Sequence, residues 1–345
     1  MSSRRDVVVI GGSAGAVEGM LRIVERLPAG LAARVFLVIH VPPTAPSVLP
    51  RILERQGSLA ARHPVHGEVT TPSVIYVAPP DFHLLVREET VGVVHGPREN
   101  GHRPAIDPLF RSASATCGSR VIGIVLSGNL DDGAAGLRAI VDAGGVAIVQ
   151  DPAEAVHPSM PLSALAFVPE AEVVPLHEIA DRIAALVGTP GGEPPPVRRA
   201  GRSNGGDTPD PVEMDLPRSQ DLSVRGRPTG FTCPECHGAI FEVDAAGVPS
   251  YRCRAGHSFS DESLVAAQHG SLEAALWAAV RALEMGAAMA ARLAFRAESR
   301  DNRIAARSLR REERRYAERA RVVRAALVVP DDLTGIDDEA TRATI

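Results

Sequence analysis

From Asp6 to about residue 187, short unbroken apolar runs alternate with stretches whose apolar side chains recur every three or four positions. The runs Val7–Ile10, Arg34–Ile39, Val74–Ala78, Val121–Leu126 and Val146–Val149 are rich in β-branched residues and lack the polar alternation of a half-solvated strand. That pattern predicts strands covered on both faces, as in a parallel sheet. Helical spacing follows Ala16 to about Leu27, begins again at Pro50–Arg55, and recurs over Asp107–Cys117, Ala134–Ala143 and His177–Val187. Leu84–Val86 and Val91–Val94 read as a hairpin, and Val173-Val174 as a further strand. The alternation predicts an α/β fold, doubly wound, with a mainly parallel sheet and helices on both faces.

The character changes after residue 187. Residues 188–228 are dominated by Gly, Pro, Arg, Ser and Asp and read as a flexible linker. Residues 229–262 form a short module containing three of the four cysteines. Residues 263–328 are rich in Ala, Leu, Arg and Glu and read as a helical hairpin that breaks near Ser299–Asn302. There the stripe Leu272, Leu276, Val280, Leu283 and Ala287, with Trp277, is expected to pack helix against helix. Residues 329–345 form an acidic tail. A linker of about forty residues spans roughly 35 Å, so the C-terminal part is able to reach the sheet or to stay clear of it.

Composition narrows the chemistry. Hydrophobic residues make up 45% of the 345, ample for a core, yet aromatics are only 3%, so the core is aliphatic. All 37 basic residues are arginine, which excludes Schiff-base and lysine general-base mechanisms. The net charge of −5 argues against nucleic acid as a partner for the chain as a whole. The apolar run after Asp6 is too short for a signal peptide, and no stretch approaches about 18 consecutive apolar residues, so a cytoplasmic protein without membrane insertion is expected.

Open parallel sheets bind ligands beyond the carboxyl ends of their strands, so the polar residues ending each apolar run are the candidates for chemistry. Ser13 follows the first run inside Gly11-Gly12-Ser13-Ala14-Gly15, a G-x-S-x-G pattern. Such a turn lifts a nucleophilic serine off a strand, although a Gly-rich β-to-α turn also serves nucleotides or the fold alone. His40 ends the second run, and Asp131 and Asp132 lie just beyond Leu126. Serine, histidine and aspartate on neighbouring strand ends supply a nucleophile, a base and a group to orient that base. Equally, Asp132 suits the cap of the helix that follows. Asp81, His83, His95, His102 and Asp107 read as structural or substrate-positioning residues.

Residues 6–187 resemble the catalytic domain of the bacterial chemotaxis protein-glutamate methylesterases. The resemblance rests on Ile10–Gly15, Val38–Pro42, Tyr76–His83, Arg103–Phe110, Leu126–Ala134 and Gln150–Pro152, followed by Met160-Pro161. It implies Ser13 as nucleophile, His40 as base and Asp132, ahead of Gly133-Ala134, as the orienting carboxylate, with no cofactor for catalysis. It further implies hydrolysis of glutamate γ-methyl esters on methylated chemoreceptors, with possible deamidation of receptor glutamines. Two positions depart from the family: Ala14 replaces a threonine, and Gly128-Asn129-Leu130 replaces glycine-methionine-glycine. The family's usual N-terminal receiver domain is not in front, so control is expected to be missing or to come from a separate receiver or methyltransferase protein.

The second module reads Cys233-x₂-Cys236-x₁₆-Cys253-x₃-His257. Two close pairs of soft or borderline ligands predict a closed, structural zinc site, with His237 a poorer fourth ligand beside Cys236. Between Arg292 and Arg324 lie twelve arginines and five acidic residues, read as a solvated, ion-paired helix surface. The favoured expectation is an esterase whose C-terminal half targets it to a partner. The alternatives are a non-catalytic or weakly active scaffold recruiting partners through that half, and a serine hydrolase for another acyl group.

Overall fold

The computed structural model describes residues 4–44, 47–192, 226–245 and 248–327. Most of the expected linker and the acidic tail lie outside these residues. Seven strands form one sheet: β1 (Val7–Gly12), β2 (Arg34–Ile39), β3 (Ala60–Arg62), β4 (Val74–Val77), β7 (Val121–Val125), β8 (Val146–Gln150) and β9 (Glu172–Val174). Their order is β3-β4-β2-β1-β7-β8-β9, and every pairing is parallel. β5 (His83–Val86) and β6 (Val91–Val94) form a separate antiparallel hairpin.

Side chains alternate faces along each strand, and helices cover both. Val8, Ile10, Val35 and Leu37 pack with buried residues of α1 (Ala16–Arg26), α2 (Leu49–Gln56) and α6 (Ile179–Leu186). Val7, Val9, Phe36 and Val38 face α3 (Ile106–Cys117), α4 (Ala134–Asp142), α5 (Ser159–Phe167) and the hairpin. In α1 the buried residues Ala16, Gly19, Met20, Ile23 and Val24 lie on one stripe, so its amphipathic period locks it onto the sheet. Each buried Val or Ile contributes about 1.5–3 kcal/mol. Arg5 and residues 188–189 exchange backbone hydrogen bonds, so the ordered chain runs slightly past 187.

Two elements of the parallel-sheet domain escape the sequence reading. β3 is a three-residue edge strand, too short to leave a pattern. α5 is apolar nearly all round, so it has no helical stripe to detect.

The Cys/His module is a four-stranded antiparallel sheet of β10 (Arg227–Thr232), β11 (Ala239–Ala245), β12 (Val248–Cys253) and β13 (Ser258–Phe259). It lies in the same compact unit as the parallel sheet, residues 1–265.

A second unit, from Ala266 onward, carries most of α7 (Asp261–Glu298) and all of α8 (Arg303–Leu327), separated by residues 299–302. Here the expected stripe holds except at its start, and Trp277 lies off it. Leu272 and Trp277 are exposed, at 59% and 40%. Val280 of the stripe is buried and Leu276, Leu283 and Ala287 are half-buried; Ala290 and Ala294 of α7 and Ala306 and Ala320 of α8 are buried as well, and Gly286 lies against the Tyr316 ring. Small side chains let the helices approach closely, which leaves the larger ones outside. Arg310 pairs with Glu298 and Glu313, and Arg324 with Glu284. By length and composition alone, α7 is long and apolar enough to cross a membrane, although Arg281 and Glu284 interrupt its apolar run.

Candidate active site

Strand register brings three loops together. Gly12 pairs with Ile39, so Ser13 and His40 emerge side by side from the carboxyl ends of β1 and β2. Ser13 N–H donates to the Ser127 carbonyl at 2.9 Å, tying the end of β1 to the segment after β7. β1 lies between β2, with β3 and β4 beyond it, and β7, with β8 and β9 beyond it, so the chain builds the sheet outward on one side of β1 and then on the other, and the strand order reverses here. Ser127 Oγ–H donates to the Ala14 carbonyl at 2.8 Å and accepts from His157 N–H at 2.9 Å, which links the loops after β1, β7 and β8.

Glycine is required at two of these turns. Gly15 has φ 75°, and a Cβ there would meet Val156 at 2.7 Å. At Gly128 a Cβ would meet Met160 at 2.7 Å and Ser13 Cβ at 2.9 Å. The 127–130 loop therefore rests on the serine at Gly128, and Asn129, the next residue, is exposed.

Ser13, His40 and Asp132 converge. The Ser13 hydroxyl lies 3.1 Å from His40 Nδ1, and His40 Nε2–H donates to Asp132 Oδ2 at 2.7 Å. With its Nε2 proton directed at the ionised carboxylate, the imidazole presents a lone pair at Nδ1 to the hydroxyl. Such an arrangement is able to draw the proton from an attacking serine. Asp132 does not cap α4, whose N-terminal boundary is Gly133 with no side-chain cap. It caps α3 instead: Oδ2 accepts Ile106 N–H at 2.7 Å, and Oδ1 accepts Asp107 N–H at 3.2 Å and Asn100 Nδ2–H at 3.0 Å. Burial opposes the charge, but the His40 contact and these N–H donors outweigh it and hold Asp132 well below the usual carboxylate range.

Asp131 points elsewhere. Its Oδ1 accepts Ser260 Oγ–H at 2.8 Å, and burial, with Glu262 and Asp132 nearby, pushes it up to about 6. Asp107 accepts Gly136 N–H at 2.7 Å, and burial followed by the charge of Asp132 pushes it up to about 7.

Two residues of the Glu99-Asn100-Gly101-His102 turn also reach the site. Asn100 and Gly101 both have positive φ, 51° and 76°, and Glu99 and His102 exchange backbone hydrogen bonds across the turn. Asn-Gly in that setting is a strong sequence signal for a tight hairpin turn. The His102 ring stacks on His40 at 3.6 Å between centroids, and burial, then the His40 charge, lowers it to about 4. His102 is thus a neutral wall of the site. Asp81 binds Arg103 and His95, and His83 is buried between the Pro97 carbonyl and the Ala105 N–H.

In the Cys/His module, the ligand atoms of Cys233, Cys236, Cys253 and His257 lie within 4.8 Å of one another. Cys236 and Cys253 Sγ are 3.6 Å apart, and His257 Nδ1 is 3.6 Å from Cys233 Sγ and 3.5 Å from Cys253 Sγ. These spacings exclude a disulfide, with S–S about 2.05 Å. They match the roughly 3.5–3.8 Å edges of a tetrahedron with Zn–S of about 2.3 Å and Zn–N of about 2.0–2.1 Å. His237 is exposed and lies outside the group.

The CheB methylesterase family profile matches residues 8–183. A protein-glutamate methylesterase/protein-glutamine glutaminase of Xanthomonas oryzae pv. oryzae is 35% identical over 52% of this chain and 51% of its own length. One from Anaeromyxobacter dehalogenans is 37% identical over 54% of this chain and 53% of its own. The chain thus spans about half the length of these relatives. A Leptospira interrogans protein named for the same two activities is 36% identical over 52% of this chain and 94% of its own. Among solved structures, the catalytic domain of the Thermotoga maritima CheB methylesterase superposes with a TM-score of 0.52 and 28% identity, covering 54% of this chain and 100% of that one.

Proposed function

The chain belongs to the CheB methylesterase family, and on that premise we propose that it is a serine hydrolase removing methyl groups from glutamate γ-methyl esters of chemoreceptors, giving carboxylate and methanol. The observation that carries this reading is the unbroken hydrogen-bond chain from Ser13 through His40 to Asp132. Ser13 Oγ attacks the ester carbonyl while His40 Nδ1 takes its proton. The imidazolium, stabilised by Asp132, passes that proton to the departing methoxide, and methanol leaves. Water then attacks the glutamyl-serine ester with His40 again as base, releasing the glutamate carboxylate and free Ser13. The N–H of Ala14, which follows the nucleophile, and the backbone or side-chain amide of Asn129, which follows Gly128, are the candidate donors to the tetrahedral oxyanion. A glutamine side chain presents the same carbonyl with ammonia as leaving group, which accounts for deamidation by the same residues.

Catalysis needs no cofactor in this scheme. The Cys233, Cys236, Cys253 and His257 set takes a structural zinc, since four protein ligands leave no position for water. Four unpaired cysteines accord with a reducing, cytoplasmic setting. Mass spectrometry of receptor peptides, after incubating methylated receptor membranes with the purified chain, tests the activity. Loss of methyl ester from glutamyl side chains is expected. Receptor that stays fully methylated, with no deamidation, contradicts the reading and favours a scaffold.

A further inference from the structure

The Cys/His module meets the parallel-sheet domain at the turn that holds Asn100. Ser258, in β13, accepts Asn100 N–H at 2.8 Å and donates its own N–H to the Arg98 carbonyl at 3.2 Å. Beyond β13, Ser260 N–H and Ser263 Oγ–H both donate to Asn100 Oδ1, at 3.1 and 3.0 Å. The opposite end of the same side chain donates to Asp132 Oδ1 at 3.0 Å and to Asp107 Oδ2 at 3.1 Å. Asn100 is buried, and a primary amide has two N–H donors and one oxygen with two lone pairs. Every one of these is used. The amide cannot flip, because flipping would set its N–H groups against the Ser260 N–H and its oxygen against two carboxylates.

The contact is built rather than incidental. Ser260 Oγ–H also reaches Asp131, the residue before Asp132. Arg252 of β12 is half-buried and feels the charge of Glu99, which pairs with Arg111 at 2.7 Å. Ser263 is 2% exposed and Ser258 6%. A surface tether would need none of these buried polar contacts, each of which must be matched to avoid a desolvation cost.

We propose that Asn100 is a positioning residue for Asp132, and that the segment from Ser258 to Ser263, closing the Cys/His module, fixes Asn100 and so sets the hydrolytic site. This rests on the reading of Ser13, His40 and Asp132 given above. The module is then a structural part of the active site, and the targeting role expected from sequence does not describe it fully. Unheld at its oxygen, Asn100 is free to rotate, and Asp132 Oδ1 keeps only the Asp107 N–H. His40 then loses its fixed orientation toward Ser13, a small displacement that costs turnover rather than substrate binding.

The test uses the full chain, a glutamyl methyl ester peptide as substrate, and the NMR signal of the His40 Nε2 proton. Asn100→Ala and Ser263→Ala should each lower kcat roughly ten- to a hundredfold with KM nearly unchanged. Both should move the His40 proton resonance. Because the two residues act in series, the double variant should be no worse than Asn100→Ala alone. Glu235→Gln removes a rim ion pair of the same interface, Arg98–Glu235, and should leave kcat and resonance as in the parent. If Asn100→Ala does not fold, Ser263→Ala carries the test. A Ser263→Ala chain with parental kcat and resonance overturns the proposal, as does an additive double variant. An active Ser13→Ala chain overturns the underlying mechanism instead, so the two failures are distinguishable.

Discussion

Replacing Asp132 by asparagine changes one oxygen into an amide nitrogen and leaves the shape intact. In the native site each oxygen accepts two N–H groups, so the amide nitrogen must face two donors whichever way it turns. Turned toward Ile106, it strands a backbone N–H that cannot move. It also forces His40 to accept at Nε2, and the ring proton then sits on Nδ1, against Ser13, with no lone pair left to act as base. Turned toward Asp107, it opposes that backbone N–H and an Asn100 amide already fixed by Ser260 and Ser263. One or two orphaned donors cost about 1–3 kcal/mol each. Relief of the repulsion with Asp107 offsets part of this, leaving a net loss of about 1–3 kcal/mol. Turnover suffers more, because the loss of tautomer control in serine hydrolases costs about 10⁴ in kcat. Urea unfolding reads the first quantity, and hydrolysis of a glutamyl methyl ester peptide by the folded variant reads the second. An Asp132→Asn chain that unfolds at a lower urea concentration yet turns over within threefold of the parent would refute the reasoning, since stability alone would then depend on this carboxylate.

Three further outcomes are expected. Asp107, raised to about 7 in the fold, binds a proton there that the unfolded chain releases near pH 4. Its contribution to stability is therefore full below about pH 4 and is lost as pH rises through about 7. Asp107→Asn should thus become progressively less destabilised relative to the parent across that window, and a gap in urea midpoint independent of pH contradicts this. Gly128→Ala pushes a methyl group onto Met160 and Ser13; Met160 is able to yield but the Ser13 backbone is not, so kcat should fall at least about tenfold with the fold retained. Elemental analysis of the full chain should find one zinc, and Cys253→Ser should abolish it; zinc retained by that variant excludes the Cys253 site.

Some of this was legible from residue order. Parallel strands buried on both faces leave unbroken apolar runs, so β1, β2, β4, β7 and β8 stand out, and Ser13 and His40 are found simply as the polar residues at the ends of two of them. Separating Asp132 from Asp131 needed the family pattern, because both come after the same strand and only their carboxylates' partners differ. The Asn100-Gly101 pair did carry a turn signal, but nothing local says that its side chain meets a serine 163 positions away. The His102 stack on His40 is equally a product of tertiary packing. Helical period identified the face that carries Val280, but it does not say how far along α7 that face is covered, so Leu272 and the neighbouring Trp277 are exposed.

The most direct test compares methanol released from methyl-labelled receptor membranes by the full chain and by its Ser13→Ala variant at equal folded concentration. Loss of the nucleophile from a unit of three cooperating residues should lower the rate at least about 10³-fold, while the variant unfolds at the same urea concentration as the parent. Methanol release by Ser13→Ala near the parental rate would contradict the assignment of this serine, and with it the hydrolytic mechanism built on His40 and Asp132.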